Sequence, residues 1–203
     1  SGSDCEFYYR FNGDGTDVCS GAGTVSVNGN AAFTGTGKMG NGLSVDGSGD
    51  SAESGTTSIV TGGTWSVEAW MQTDDVSQGT IVFFGNFDGS ANANELSIGL
   101  GSTNEVRVCE STCGGPFGNT ITTSGVNLAS DTWYHVAVTH DGSEGVNIFV
   151  NGQRETTAGD ILTIDSASSP KAVMGEGDLQ ADFSGVIDDV RMVNYERGAF
   201  AGG

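Results

Sequence analysis

Carboxylates are the most abundant reactive side chains in this 203-residue chain. There are 26 Asp and Glu against 7 Lys and Arg, for a formal net charge of −19. Two groups lie close enough to share a ligand: Asn12, Asp14 and Asp17 in one Gly-rich turn, and Asp46, Ser48 and Asp50 alternating along another. Ca²⁺ takes six to eight hard oxygens, and these turns supply that type. Neither is an EF-hand, which has Gly at its sixth position and Glu at its twelfth. The competing reading is that these residues cap their own backbone turns.

Cys5, Cys19, Cys109 and Cys113 make an even count in an acidic, Gly- and Ser-rich chain, which points to disulfides and an oxidising, extracellular compartment. Four cysteines allow three pairings. Joining neighbours, Cys5 with Cys19 and Cys109 with Cys113, closes the shortest loops. Zinc is disfavoured, because there are no two CxxC pairs and neither histidine is near a cysteine. His135 and His140 lie five apart on one extended segment, face opposite ways and follow no nucleophile elbow, so both read as structural.

The elements that position these groups are strands. No helical period persists. Short apolar blocks are punctuated by Asn12-Gly13, Asp46-Gly47, Asp88-Gly89, Asp141-Gly142 and Asn151-Gly152, all turn signals. Strands are predicted over 6–11, 42–45, 65–72, 80–85, 95–100, 105–109, 133–140, 146–150, 171–174 and 186–195. Regular strands with no intervening helices predict an all-β, two-sheet antiparallel sandwich. With no shift in composition along the chain, residues 1–203 read as one domain. In the last strand Val186, Asp188, Val190 and Met192 would share one face, and Ile187, Val193 and Tyr195 the other. Since an unpaired buried Asp is costly, a bulge or strand rim is expected at Asp188-Asp189, where a cation or backbone N–H groups satisfy the carboxylates.

The acidity disfavours nucleic acid and anionic membranes as partners. No apolar run approaches the roughly 20 residues that span a bilayer. No secretory leader is visible, and Ser1 reads as a processed or an arbitrary start.

Four segments resemble the laminin-G-like, concanavalin-A-like family: Gly37-Lys38-Met39-Gly40-Asn41-Gly42-Leu43-Ser44-Val45-Asp46-Gly47; Thr64-Trp65-Ser66-Val67-Glu68-Ala69-Trp70; Trp133-Tyr134-His135-Val136-Ala137-Val138-Thr139 with Asp141-Gly142 and Ile148-Phe149-Val150-Asn151-Gly152; and Phe183-Ser184-Gly185-Val186-Ile187-Asp188-Asp189-Val190-Arg191. The resemblance implies a concanavalin-A-like jelly roll and a structural calcium held near the closing-strand Asp and the early loops. Asp14, Asp17, Asp46, Asp50 and Asp188 are the candidate ligands. Glycosidases of this fold carry alternating acids on one strand face. Here Glu68 stands alone and Asp188-Asp189 point to opposite faces, so no enzymatic activity is expected.

A sugar site needs aromatic platforms beside polar groups. Glu68 and Trp70 share a face, as do Trp133 and His135, and Asn147 and Phe149. Trp70, His135 and Phe149 are therefore expected to lie near one another, under a ligand, a loop or another subunit; Phe87 and Phe117 are alternative platforms. The chain reads as a non-catalytic extracellular module for adhesion, binding a glycan or protein partner and stabilised by calcium. The alternative is a self-assembling subunit of a filament or surface layer, suggested by a loose Gly-rich tail from Ala199 onward.

Overall fold

The computed structural model describes residues 4–19, 21–56, 63–86, 95–110, 120–143, 145–156, 171–178 and 180–200. Among them the chain forms strands and no helix: β1 (Cys5–Tyr9), β2 (Ser26–Asn28), β3 (Ala32–Thr36), β4 (Asn41–Asp46), β5 (Ser51–Thr56), β6 (Thr64–Thr73), β7 (Gly79–Gly85), β8 (Leu96–Leu100), β9 (Val106–Glu110), β10 (Thr120–Thr122), β11 (Trp133–Asp141), β12 (Val146–Val150), β13 (Gln153–Arg154), β14 (Lys171–Met174) and β15 (Ser184–Val193).

They build two antiparallel sheets. The first runs β13-β12-β11-β6-β15-β4-β3, and the second β10-β9-β8-β7-β14-β5-β2. Along one edge of β15, β4 pairs with residues 184–187 and β1 with residues 190–193, so the first strand and the last lie side by side. The sheets pack face to face as a concanavalin-A-like jelly roll. Trp65, Val67, Ala69 and Met71 of β6, Val136 and Val138 of β11, and Ile148 of β12 point into one continuous core with Val82 and Phe84 of β7 and Leu96 and Ile98 of β8.

Ten of these strands were predicted. Those missed are short: β2, β3, β5 and β10 are rich in Ser, Thr and Gly, with few apolar side chains to alternate, and β13 is only Gln153-Arg154. The turn signals act as expected where they are described. Asn151 and Gly152 both take positive φ, 50° and 77°, the pair of angles a tight two-residue hairpin requires. Cys5 and Cys19 form a disulfide that ties β1 to the following loop. Cys109 is also disulfide-bonded. Cys113, Phe87, Phe117 and the Asp88-Gly89 turn lie outside the described residues.

The closing strand corrects the simple alternation. Its register against β6 shifts between Asp188 and Arg191, and Asp189 has φ 50°. This bulge inserts one residue, so Ile187, Val190 and Met192 all reach the core while Val186 does not. The tail also differs from expectation as far as residue 200. Ser66 Oγ donates to the Tyr195 carbonyl (2.8 Å) and accepts from the Arg197 N–H (2.9 Å), drawing residues 195–197 across the outer face of β6.

Candidate functional site

Because Val67, Ala69 and Met71 fill the core, the alternate residues of β6, namely Ser66, Glu68 and Trp70, stand on the outer face of the first sheet. Register extends this face across five strands. Phe149 pairs with Ala137, Ala137 with Glu68, Glu68 with Arg191, and Arg191 with Tyr8. In the adjoining row His135 pairs with Trp70 and Trp70 with Asp188.

Glu68 is the ionic centre and is only 7% exposed. Its Oε1 accepts from Arg191 Nε at 2.6 Å and from terminal nitrogens of Arg191 and Arg197. Its Oε2 lies 3.3 Å from His135 Nε2. Burial by itself would raise its pKa, but the hydrogen bond from His135 and the two guanidiniums outweigh this and hold the carboxyl at about 2.

The aromatic groups surround this centre. Trp70 meets His135 edge-on, with ring centroids 5.0 Å apart, and Lys38 Nζ lies 4.2 Å from the centroid of the indole ring. Phe200 lies 6.2 Å from His135 and 4.9 Å from Phe149. Trp70, His135 and Phe149 are thus gathered on one face, and the chain's own C-terminal segment, through Phe200, covers His135 and Phe149.

The bulge builds the opposite wall. Asp188 is fully buried and accepts from the Met39 N–H (3.0 Å) and the Asp189 N–H (2.9 Å). Burial, reinforced by neighbouring Asp189 and only partly offset by these donors, raises its pKa to about 6. Gly37 lets the 37–40 loop cross so close: a Cβ there would stand 2.6 Å from the Asn41 backbone and 2.7 Å from Asp188 Oδ2. The next carboxylate, Asp189, accepts the Tyr8 hydroxyl proton at 2.6 Å through Oδ1. Burial first, then this carboxylate, raises the tyrosine pKa.

Between these walls is a recess of about 150 Å³ bounded by Tyr8, Met39, Trp70, His135, Asp189 and Arg197, with Glu68 and Arg191 also lining it. Asp189 Oδ2 and His135 Nδ1 are buried and have no hydrogen-bond partner.

The acidic residues proposed for calcium are not gathered into one site. Asp14 Oδ1 accepts from the Thr16 N–H (2.9 Å). Asp17 accepts from the N–H groups of Tyr8, Cys19 and Ala22 at 2.8–2.9 Å. Asp46 accepts from the Ser48 N–H (3.0 Å) and the Asn30 side chain (3.1 Å); Asp50 accepts from the N–H groups of Asn30 (2.7 Å) and Asp46 (3.1 Å). Asp188 is served by the backbone donors already given. Short polar side chains that cap backbone turns account for this pattern. Among the described residues no group of three or more His, Cys, Asp or Glu is arranged to hold a metal ion.

Sequence reasoning named Trp70, His135 and Phe149 but not Tyr8, Asp189, Arg191, Arg197 or Phe200 as part of this face. Arg191 and Asp189 stood inside a recognised segment. Arg197 and Phe200 carried no local signal, because their position depends on the Ser66 clamp.

A two-sheet antiparallel sandwich with this strand order is a jelly-roll domain. The chain belongs to the concanavalin A-like lectin/glucanases superfamily, whose sequence pattern matches residues 46–199. No curated protein matches it in sequence. Among solved structures it is similar to domain 4 of AbnA, a GH43 extracellular arabinanase from Geobacillus stearothermophilus, in complex with arabinotriose. That match has TM-score 0.76 and 18% identity, and covers 99% of this chain and 96% of that one. It is also similar to the binding domain of Paraclostridial Mosquitocidal Protein 1 (TM-score 0.68, 13% identity, 96% of this chain and 50% of that one). A third is the botulinum neurotoxin serotype D ligand binding domain in complex with N-acetylneuraminic acid (TM-score 0.64, 13% identity, 95% and 48%). The chain spans about half the length of these two toxin domains. At such identities the likeness establishes the fold.

Proposed function

We propose that this chain is a non-catalytic, extracellular glycan-binding module, suited to adhesion, whose sugar contact is the recess on the outer face of the first sheet. One observation carries the reading: the aromatic side chains of Trp70 and Tyr8 and the polar and charged groups of Glu68, His135, Asp189, Arg191 and Arg197 line one recess on the outer face. A sugar ring packs its C–H face on such walls and hydrogen-bonds through its hydroxyls.

The full-length likeness to a domain complexed with arabinotriose supports the substrate class, and the disulfide supports an oxidising compartment. The absence of catalysis is part of the proposal. A glycosidase needs a carboxylic acid kept protonated near neutral pH beside a second carboxylate, both facing the bond to be cut. Glu68 is held ionised between two guanidiniums; of the two carboxyls whose pKa is raised, Asp188 faces backbone N–H groups under the 37–40 loop and Glu176 does not line the recess. The reading does not require calcium.

The test is titration calorimetry against neutral and acidic oligosaccharides, with reducing-end release followed alongside. Binding is expected without release. Trp70→Ala should weaken it by about tenfold or more, the scale of one lost aromatic contact. Wild-type-like binding by Trp70→Ala would remove the recess from the reading, and turnover would overturn its non-catalytic part.

A further inference from the structure

Charge is distributed unevenly over this molecule. Arg10, Lys38, Arg191 and Arg197 are four of its seven Lys and Arg, and all four stand on the outer face of the first sheet around the recess. Arg191 and Arg197 reach Glu68, with side chains 34% and 23% exposed. The other two are exposed and rest on aromatic rings: Lys38 against Trp70, and Arg10 with its guanidinium carbon 5.2 Å from the centroid of Tyr8. The carboxylates facing them are Glu68 and Asp189 at the recess and Asp188 beneath the 37–40 loop. Within the recess Arg191 and Arg197 are balanced by Glu68 and Asp189, and Lys38 and Arg10 add two exposed cations at its rim on a chain of net charge −19.

Resting on the glycan-binding reading of this same recess, we infer that its ligand is a sugar residue bearing a carboxylate. The ligand's carboxylate lies toward Lys38, Arg10 and the open edges of the two guanidiniums, where charge-assisted hydrogen bonds are available. The recess has a volume of about 150 Å³. The acidity of the rest of the surface sharpens the selection. It repels polyanions elsewhere on the molecule, so affinity for an anionic sugar has to arise at this opening.

The experiment compares an oligogalacturonate with its carboxyl-reduced neutral counterpart by calorimetry, for the wild type and for the Lys38→Gln/Arg10→Gln double variant. Both substituted side chains are exposed, and a thermal melt confirms folding. The acidic oligosaccharide is expected to bind at least about tenfold more tightly than the neutral one, the worth of one charge-assisted contact. That preference should shrink as salt is raised and be lost in the double variant. Equal binding of both sugars, or a preference unchanged in the double variant, overturns the inference while leaving the glycan-binding reading in place. Binding of neither sugar overturns the inference; binding of neither these nor any neutral oligosaccharide overturns the parent reading too.

Discussion

Two carboxylates on neighbouring strands, Glu68 of β6 and Asp188 of β15, are driven in opposite directions, and the difference follows from what each one faces. Glu68 faces three cationic or protonatable side chains, so its charged form is favoured despite burial; Asp188 faces backbone donors and another carboxylate, so its neutral form gains. The consequences for stability have opposite signs. Glu68 is held at about 2 against an ordinary 4.5, so its contribution is complete above pH 4.5 and is lost as the pH falls toward 2. Asp188, raised from 3.8 to about 6, contributes most below pH 3.8, and that contribution disappears as the pH rises through 6. Urea melts across this range should therefore show Asp188→Asn flattening the decline between those two values, leaving the acid limb in place. Glu68→Gln should remove the acid limb and lower stability at neutral pH by on the order of 3 kcal/mol, because two guanidiniums lose their counter-charge in a largely buried position. Acid limbs of equal depth in wild type and Glu68→Gln would refute this account.

At the scale of elements, β15 connects the core to the outer face. Its bulge lets Ile187 and Val190 both point inward and turns Asp189 toward Tyr8. Its first half depends on Gly185, which has φ 141° and whose position would bring a Cβ to 2.1 Å from the Gln72 carbonyl oxygen of β6. Gly185→Ala is expected to cost about 2–4 kcal/mol, through backbone strain and a forced separation of β15 from β6. Gly198→Ala is the matched control, since nothing lies within 4 Å of a Cβ there. Denaturant midpoints decide it, and a loss at Gly185 no larger than that at Gly198 would show that β6 yields to the added methyl. Ser66 has a comparable role by polar means. One hydroxyl holds both Tyr195 and Arg197, and so places Arg197 at the recess and Phe200 over His135 and Phe149.

For the molecule as a whole, 26 acidic side chains raise the question of bound cations. Asp14, Asp17, Asp46, Asp50 and Asp188 each already accept protein N–H donors, so exhaustive chelation is expected to move the melting temperature by less than about 1 °C. A fall of several degrees would instead assign a stabilising cation to this fold. The disulfide acts on the same scale. It links β1, which pairs with the closing strand, to the loop that follows it.

Much of this architecture was legible along the chain. Alternating and blocked apolar residues, with Asn-Gly and Asp-Gly turns, determined the two-sheet sandwich, because side-chain period and turn chemistry are local properties of the backbone. The same alternation placed Glu68 and Trp70 on the outer face, and the cost of burying adjacent carboxylates located the bulge. What the sequence could not determine was which distant groups meet. That the Met39 and Asp189 N–H groups reach Asp188 was decided only when the 37–40 loop crossed it. The positions of Arg197 and Phe200, the pairing of Tyr8 with Asp189, and the gathering of four cations in an acidic chain were likewise decided only by tertiary structure. These are contacts between residues up to 181 positions apart, created when β1 and β15 pair and the C-terminal segment folds back over β6, and no local propensity encodes them.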